Sequence, residues 1–298
     1  MNAAVRATGL GRSYGHFWAM RDCTLDLPNG SVTAVVGPNG AGKTTLLNML
    51  VGLLPPSEGD LQVCGERPAN TAEFLAKVGF VAQDCPLYKE FSVADLLRFG
   101  RHLNPRWDDA IARDRLAAAR VPLDRKAGRL SGGQKAQVAL ALAIAKRPDL
   151  LVLDEPLASL DPIARREFLK SLMVIVADTG ITLVLSSHLI SELARVCDHL
   201  IVIAEGRLRL VGDIDEVLEE HRWVVGSPID AEHPPAAVEV VSRSDHDRHS
   251  RLLVRSSGPL FNPALTATTA DLDDVVMAYL ETASEPSARL THTTVGKS

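Results

Sequence analysis

The chain has 298 residues, 46% of them apolar and 23% charged, with a net charge of −5. That is sequence for one large domain and a small appendage with an ordinary core, and without a basic excess it argues against a nucleic-acid partner. The four cysteines, Cys23, Cys64, Cys85 and Cys197, lie far apart in no C-x-x-C or Cys/His spacing, so idle thiols in a reducing compartment are expected, not zinc or disulfides.

In chain order, the first ten residues hold no apolar core behind a basic head, so no secretory signal is expected. Short β-branched runs then alternate with helical patterns, which reads as α/β with a mostly parallel sheet. Predicted strands are 32–36, 78–82, 150–153, 182–186 and 200–204, and an apolar helix is predicted from Thr45 to about Leu53. Residues 92–146 read as helical throughout, a helical subdomain inserted into the sheet. The longest apolar stretches, 137–146 and 150–153, fall well short of the roughly 20 residues of a membrane span. Any membrane role therefore has to come through a partner.

After Gly212 the texture changes. An acidic helix is predicted at 213–220, then Pro228, Pro234 and Pro235 punctuate short apolar runs at 237–241 and 252–254. A helix at 271–280 closes a small α+β accessory domain spanning 221–282. Residues 283–298 are polar, rich in Ser and Thr, and predicted to be a disordered tail.

The strongest chemical signal is Gly37-Pro38-Asn39-Gly40-Ala41-Gly42-Lys43-Thr44, a G-x-x-x-x-G-K-[ST] loop between a strand and a helix. Glycines let backbone N–H groups wrap round phosphate, and the helix N-terminus adds its positive end. Lys43 is placed to reach the β- and γ-phosphates and the Thr44 hydroxyl to bind Mg²⁺, with Thr45 continuing the loop into the helix. An ordinary glycine turn is the bland alternative. The strand 150–153 ends in Asp154 and Glu155, two carboxylates delivered to the crevice at the sheet's C-terminal edge. Asp154 suits Mg²⁺ through its water shell, and Glu155 suits a general base that positions water against the γ-phosphate. Leu130-Ser131-Gly132-Gly133-Gln134 precedes a helical pattern; as chemistry it is both a Ser-capped helix start and an anion site.

With that last motif the sequence resembles the nucleotide-binding subunits of ABC transporters, of which LSGGQ is the signature. The resemblance covers about residues 3–220 and keeps the family's order and spacing. It implies a P-loop NTPase fold over 1–220, a RecA-like sheet with an ABC-specific helical subdomain, followed by the accessory domain. It implies ATP sandwiched between the phosphate loop of one subunit and Ser131, Gly132, Gly133 and Gln134 of a second, either the same chain or a paralogue. Tyr14 matches the aromatic that stacks on adenine, with Phe17 and Trp18 as rivals. Gln83 matches the Q-loop, which senses Mg²⁺ and the attacking water. Ser159-Leu160-Asp161 matches the D-loop, and His188 the histidine that contacts the γ-phosphate. One departure is Lys135-Ala136-Gln137, where the family often continues Gln/Arg-Gln-Arg; the basic third position is lost.

The resemblance also implies an integral membrane permease as partner, met at residues 84–95, and a place at the cytoplasmic face of the membrane. Residues 185–188 with Glu192 and Cys197-Asp198, and the 271–280 helix, look like the drug-exporter type, so export is expected. A regulatory ATPase without transport is the alternative. Two weaker signals remain. Asp245-His246-Asp247-Arg248-His249 reads as a solvated loop before a metal site, and Arg165-Arg166 as a helix surface.

Overall fold

The computed structural model describes residues 3–158, 160–226, 238–246, 249–256, 258 and 266–284. Ser159 and the predicted tail from residue 285 onward lie outside them. The chain divides into two compact units, Met1–Ile214 and Asp215–Ser298. The expected division after residue 220 falls six residues late, so nearly all of the acidic helix groups with the second unit.

The first unit contains two sheets. A six-stranded sheet is built from β3 (Val32–Val36), β5 (Val78–Val81), β6 (Leu150–Leu153), β7 (Thr182–Ser186), β8 (His199–Ala204) and β9 (Arg207–Asp213), in the order β5-β6-β7-β3-β8-β9. All pairs are parallel except β8–β9. Every residue of β3, β6 and β7 is buried, Thr33, Thr182 and Ser186 included, which is why these strands are mostly apolar and do not alternate with exposed polar residues. Leu46, Leu47 and Leu50 of α1 (Lys43–Leu50) pack into the same core as Val35, Val152, Val184 and Ile201. That packing fixes the direction in which α1 leaves the sheet.

A second, antiparallel sheet joins β1 (Ala3–Tyr14), β2 (Phe17–Pro28) and β4 (Glu58–Val63) in the order β2-β1-β4. None of these strands, nor β9, was among the predicted ones. Register shifts along β1, with Gly9 at φ 55°, break the two-residue alternation that would have announced it.

Residues 92–146 are helical as expected. They form α3 (Val93–Leu103), α4 (Asp109–Ala118), a single 3₁₀ turn at Ala127–Arg129, and α5 (Gly132–Ala145). Leu97, Leu116, Val138 and Ala141 give this subdomain its own core. Three shorter or later helices complete the unit: α2 (Ala72–Lys77), α6 (Pro162–Thr179) and α7 (Ile190–Leu193).

The second unit holds α8 (Ile214–Glu220), of which Ile214 belongs to the first unit, then β10 (His221–Gly226), β11 (Glu239–His246), β12 (His249–Arg255), β13 (Thr266–Thr269) and α9 (Leu272–Ser284). Its strands form one antiparallel sheet in the order β11-β12-β10-β13, around Val224, Leu252 and Val254. His246 and His249 are partners in the β11–β12 register, and Asp245 accepts from Arg243 and Ser250. Among the described residues no group of three or more His, Cys, Asp or Glu is placed to hold a metal ion. Among them, too, no helix is long and apolar enough to cross a membrane.

Candidate nucleotide-binding site

The phosphate loop is wedged between backbones. A Cβ on Gly37 would lie 2.2 Å from the carbonyl oxygen of Ile203 in β8, and one on Gly42, at φ 113°, 2.8 Å from that of Ala19 in β2. Glycine alone fits both places, and the loop is thereby held against two sheets at once. Gly42 is also the N-cap of α1 and supplies no side-chain cap, so the first-turn amides face the loop.

Lys43 is nearly enclosed. Its Nζ donates to the carbonyl oxygens of Gly37 at 2.7 Å and Pro38 at 3.3 Å, and stands 3.4 Å from Oε1 of Glu155. Asp154, buried at the end of β6, accepts from Thr44 Oγ1 at 2.8 Å and from Ser186 Oγ at 2.7 Å. Ser186 Oγ in turn accepts the amide of Glu155 at 2.8 Å. Nδ1 of His188 lies 2.9 Å from Oε2 of Glu155. Glu155 carries a left-handed backbone, φ 46°, which costs about 1–2 kcal/mol for a residue with a side chain and persists only because its surroundings hold it.

These side chains open onto one cleft of 670 Å³, within the range of about 300–1,000 Å³ usual for small-molecule sites. Tyr14, Gly37, Pro38, Asn39, Gly40, Gly42, Lys43, Thr44, Thr45, Gln83, Glu155 and His188 line it. Ala41 and Asp154 sit behind that wall, both buried. Tyr14 and Phe17 face each other across the tip of the β1–β2 hairpin, 50% and 67% exposed, and both line the cleft. Trp18 does not; its ring lies under the Arg21 guanidinium, 5.4 Å away.

The residues fit a triphosphate with a hard divalent cation. The Thr44 hydroxyl and the Asp154 carboxylate offer oxygen donors side by side, the ligand type Mg²⁺ prefers. Oε1 of Glu155 is buried and makes no hydrogen bond among the described residues; the Lys43 ammonium stands 3.4 Å from it.

The remaining predicted residues are not in this cleft. Ser131 is the N-cap of α5: its Oγ accepts the amide of Gln134, and Gln134 Oε1 accepts that of Ser131, both at 3.2 Å. Gly132 and Gly133 form the first turn. Asp161 caps α6 by accepting from the amides of Ile163 and Ala164 at 3.0 Å. Ser159 lies outside the described residues. Sequence reasoning missed Ser186, Ala19 and Ala158. The only trace of Ser186 was a hydroxyl at the end of a strand that is apolar over Leu183–Leu185; Ala19 and Ala158 left none.

Comparison with known proteins agrees with this geometry. Residues 20–158 match the ABC transporter family. The sulfate/thiosulfate import ATP-binding protein CysA of Halalkalibacterium halodurans is 34% identical over 70% of this chain, and the match spans 61% of that relative's length. The Nod factor export ATP-binding protein I of Bradyrhizobium diazoefficiens is 35% identical over 74% of both chains. Among solved structures, an ATP-binding subunit of an ABC transporter superposes with TM-score 0.66 at 26% identity, covering 72% of this chain and 92% of that one. The cbiO1 protein of Clostridium perfringens, part of the ABC transporter complex cbiONQ, gives 0.64 at 29% identity, over 74% and 92%. A glycine loop pinned between two sheets, an Asp-Glu strand end closed by His188, a separate LSGGQ helix and these matches together place the chain in the ABC transporter ATP-binding family.

Proposed function

We propose that this chain binds and hydrolyses ATP and works as the nucleotide-binding subunit of an ABC transporter, with a second such subunit, identical or a paralogue, and an integral membrane permease. The observation that carries this is the convergence of Lys43, Thr44, Glu155 and His188 on one cleft, with Asp154 bonded to Thr44 just behind its wall. The loop amides and Lys43 hold the β- and γ-phosphates, and Tyr14 with Phe17 stacks on the base. Thr44, Asp154 and Gln83 hold Mg²⁺, which when bound neutralises phosphate charge. Glu155, steadied by His188, orients water and takes its proton as the water oxygen bonds to the γ-phosphorus and the bond to the β–γ bridging oxygen breaks, leaving ADP and inorganic phosphate. His188 then holds the γ-phosphate oxygens.

Ser131, Gly132, Gly133 and Gln134, with Asp161, serve the partner's ATP and not this chain's own. What supports this is their absence from the cleft together with an exposed helix start able to bind an anion. ATP then becomes part of the interface, and its hydrolysis lets the pair open.

An apolar groove of 570 Å³, lined among others by Leu53, Phe80, Pro86, Leu87, Tyr88, Phe99 and Trp107, receives cytoplasmic helices of the permease. On this reading the chain sits at the cytoplasmic face of the membrane. For direction we propose export. It is supported by the exporter-like segment at 185–188 and by the Nod factor relative, which matches over equal shares of both chains; the importer relatives match at similar identity. ATP-driven uptake that requires an external solute-binding protein would overturn export alone.

Affinity purification of the chain from detergent-solubilised native membranes tests the whole reading. A stoichiometric polytopic membrane protein is expected; a soluble partner, or none, favours a regulatory ATPase.

A further inference from the structure

Of the arginine pair on α6, only Arg166 behaves as the helix surface expected from sequence. Arg165 is turned inward. Its Nε donates to the carbonyl oxygen of Leu157 at 3.2 Å, and its Nη1 stands 3.7 Å from Oε1 of Glu192, with the two side chains 23% and 32% exposed. The Leu157 oxygen also accepts the amide of Leu160 at 3.2 Å, which closes the turn that follows Glu155. The other oxygen of Glu192, Oε2, is buried without a hydrogen-bond partner, so this carboxylate has no rival anchor among the described residues.

These contacts complete a ring. Glu155 meets His188 side chain to side chain at 2.9 Å. His188 leads within four residues to Glu192 on α7. Glu192 pairs with Arg165, Arg165 holds Leu157, and Leu157 is two residues from Glu155. We infer that Arg165 and Glu192 are a positioning pair that locks the loop bearing Glu155 to the loop bearing His188.

A planar guanidinium suits this task because it can donate Nε to a carbonyl while another of its nitrogens faces a carboxylate as an ion pair. Lysine offers a single compact ammonium and cannot hold both at these angles. The need for a lock follows from the left-handed backbone of Glu155, a conformation that relaxes unless its neighbours prevent it. Arg165 constrains that loop from below while Ser186 constrains it from the strand side.

The inference rests on Glu155 and His188 acting on ATP, and the test separates the two. Steady-state ATP hydrolysis and, independently, ATP affinity are measured on the full chain for wild type, Arg165→Ala, Glu192→Ala, the double variant, Arg165→Lys and Arg166→Ala. Each single alanine variant is expected to lower kcat at least tenfold while ATP affinity stays within twofold. The double variant is expected to be no slower than the slower single, because both break one ring. Arg165→Lys is expected to fall between wild type and alanine, and Arg166→Ala to match wild type. If an alanine variant fails to fold, Arg165→Lys and Glu192→Gln carry the same comparison.

A kcat change under twofold, affinity lost in step with kcat, or multiplicative effects in the double variant would overturn the positioning role. A wild-type chain with no ATP turnover would instead overturn the function proposed above.

Discussion

The hydroxyl of Ser186 donates to Oδ1 of Asp154 across 2.7 Å while accepting the amide of Glu155. One buried side chain thus seats both carboxylates at the end of β6. Ser186→Ala leaves a buried carboxylate oxygen and a buried amide without this partner, at about 1–3 kcal/mol each. The expected result is a loss of about 2–4 kcal/mol in urea unfolding, together with reduced ATP turnover. An unchanged midpoint would remove Ser186 from the site's support.

Glu155→Gln keeps the shape of the side chain and removes its charge. Turnover is expected to fall by about 10²–10⁴-fold while ATP still binds, since Lys43 keeps its two carbonyl contacts. Size-exclusion chromatography with saturating ATP and Mg²⁺ should then show a trapped dimer. A monomer under those conditions contradicts the nucleotide sandwich.

Tyr88 is 59% exposed, lines the apolar groove, and packs tilted against Phe91 and edge-to-face against Phe99, ring centroids 5.2 and 5.7 Å away. Truncation to alanine removes a docking surface without touching the nucleotide cleft. Tyr88→Ala is expected to weaken copurification of the permease several-fold, with basal ATP hydrolysis within about twofold of wild type, as for an exposed aromatic anchor. Equal loss of both would place Tyr88 in the catalytic path instead.

In the second unit, His221 is fully enclosed. Nδ1 lies 2.6 Å from the Val217 carbonyl, an acceptor only, so Nδ1 donates and Nε2 accepts from the Tyr279 hydroxyl at 3.1 Å. Burial pushes the imidazole below its ordinary value; Arg255 adds to this, while the Val217 carbonyl, Glu220 and Glu239 oppose it. The unfolded chain therefore binds the proton first as pH falls through about 6.5. Stability is fully present above that value and is lost below it, until the folded imidazole itself protonates. Urea unfolding at pH 5.5 and 7.5 should show this loss in wild type and a smaller one in His221→Phe. An identical pH dependence in the two would count against it.

Legibility differed between elements for physical reasons. The loop from Gly37 to Thr44 and the strand ending in Asp154 and Glu155 announce themselves because their chemistry is local: a spacing of glycines, an apolar run, two acids. Gln83 and His188 were found because each follows a predicted strand in a known order. Three strands of the antiparallel sheet escaped because β1 slips register and so hides its alternation. Ser186 and Arg165 escaped for another reason. Their partners lie 31 and 27 residues away, Glu155 and Glu192, and nothing in a linear sequence marks a hydroxyl as a bridge or an arginine as a clamp.

The hairpin that carries Tyr14 and Phe17 has a consequence for substrate choice. Both rings line the cleft edge, and a ring that stacks on a base reads its π-surface and not its pattern of donors and acceptors. Stacking of this kind is worth about the same for any purine. If Tyr14 and Phe17 stack on the base as proposed, the cleft selects for phosphates more than for the base, and GTP is expected to run the same cycle.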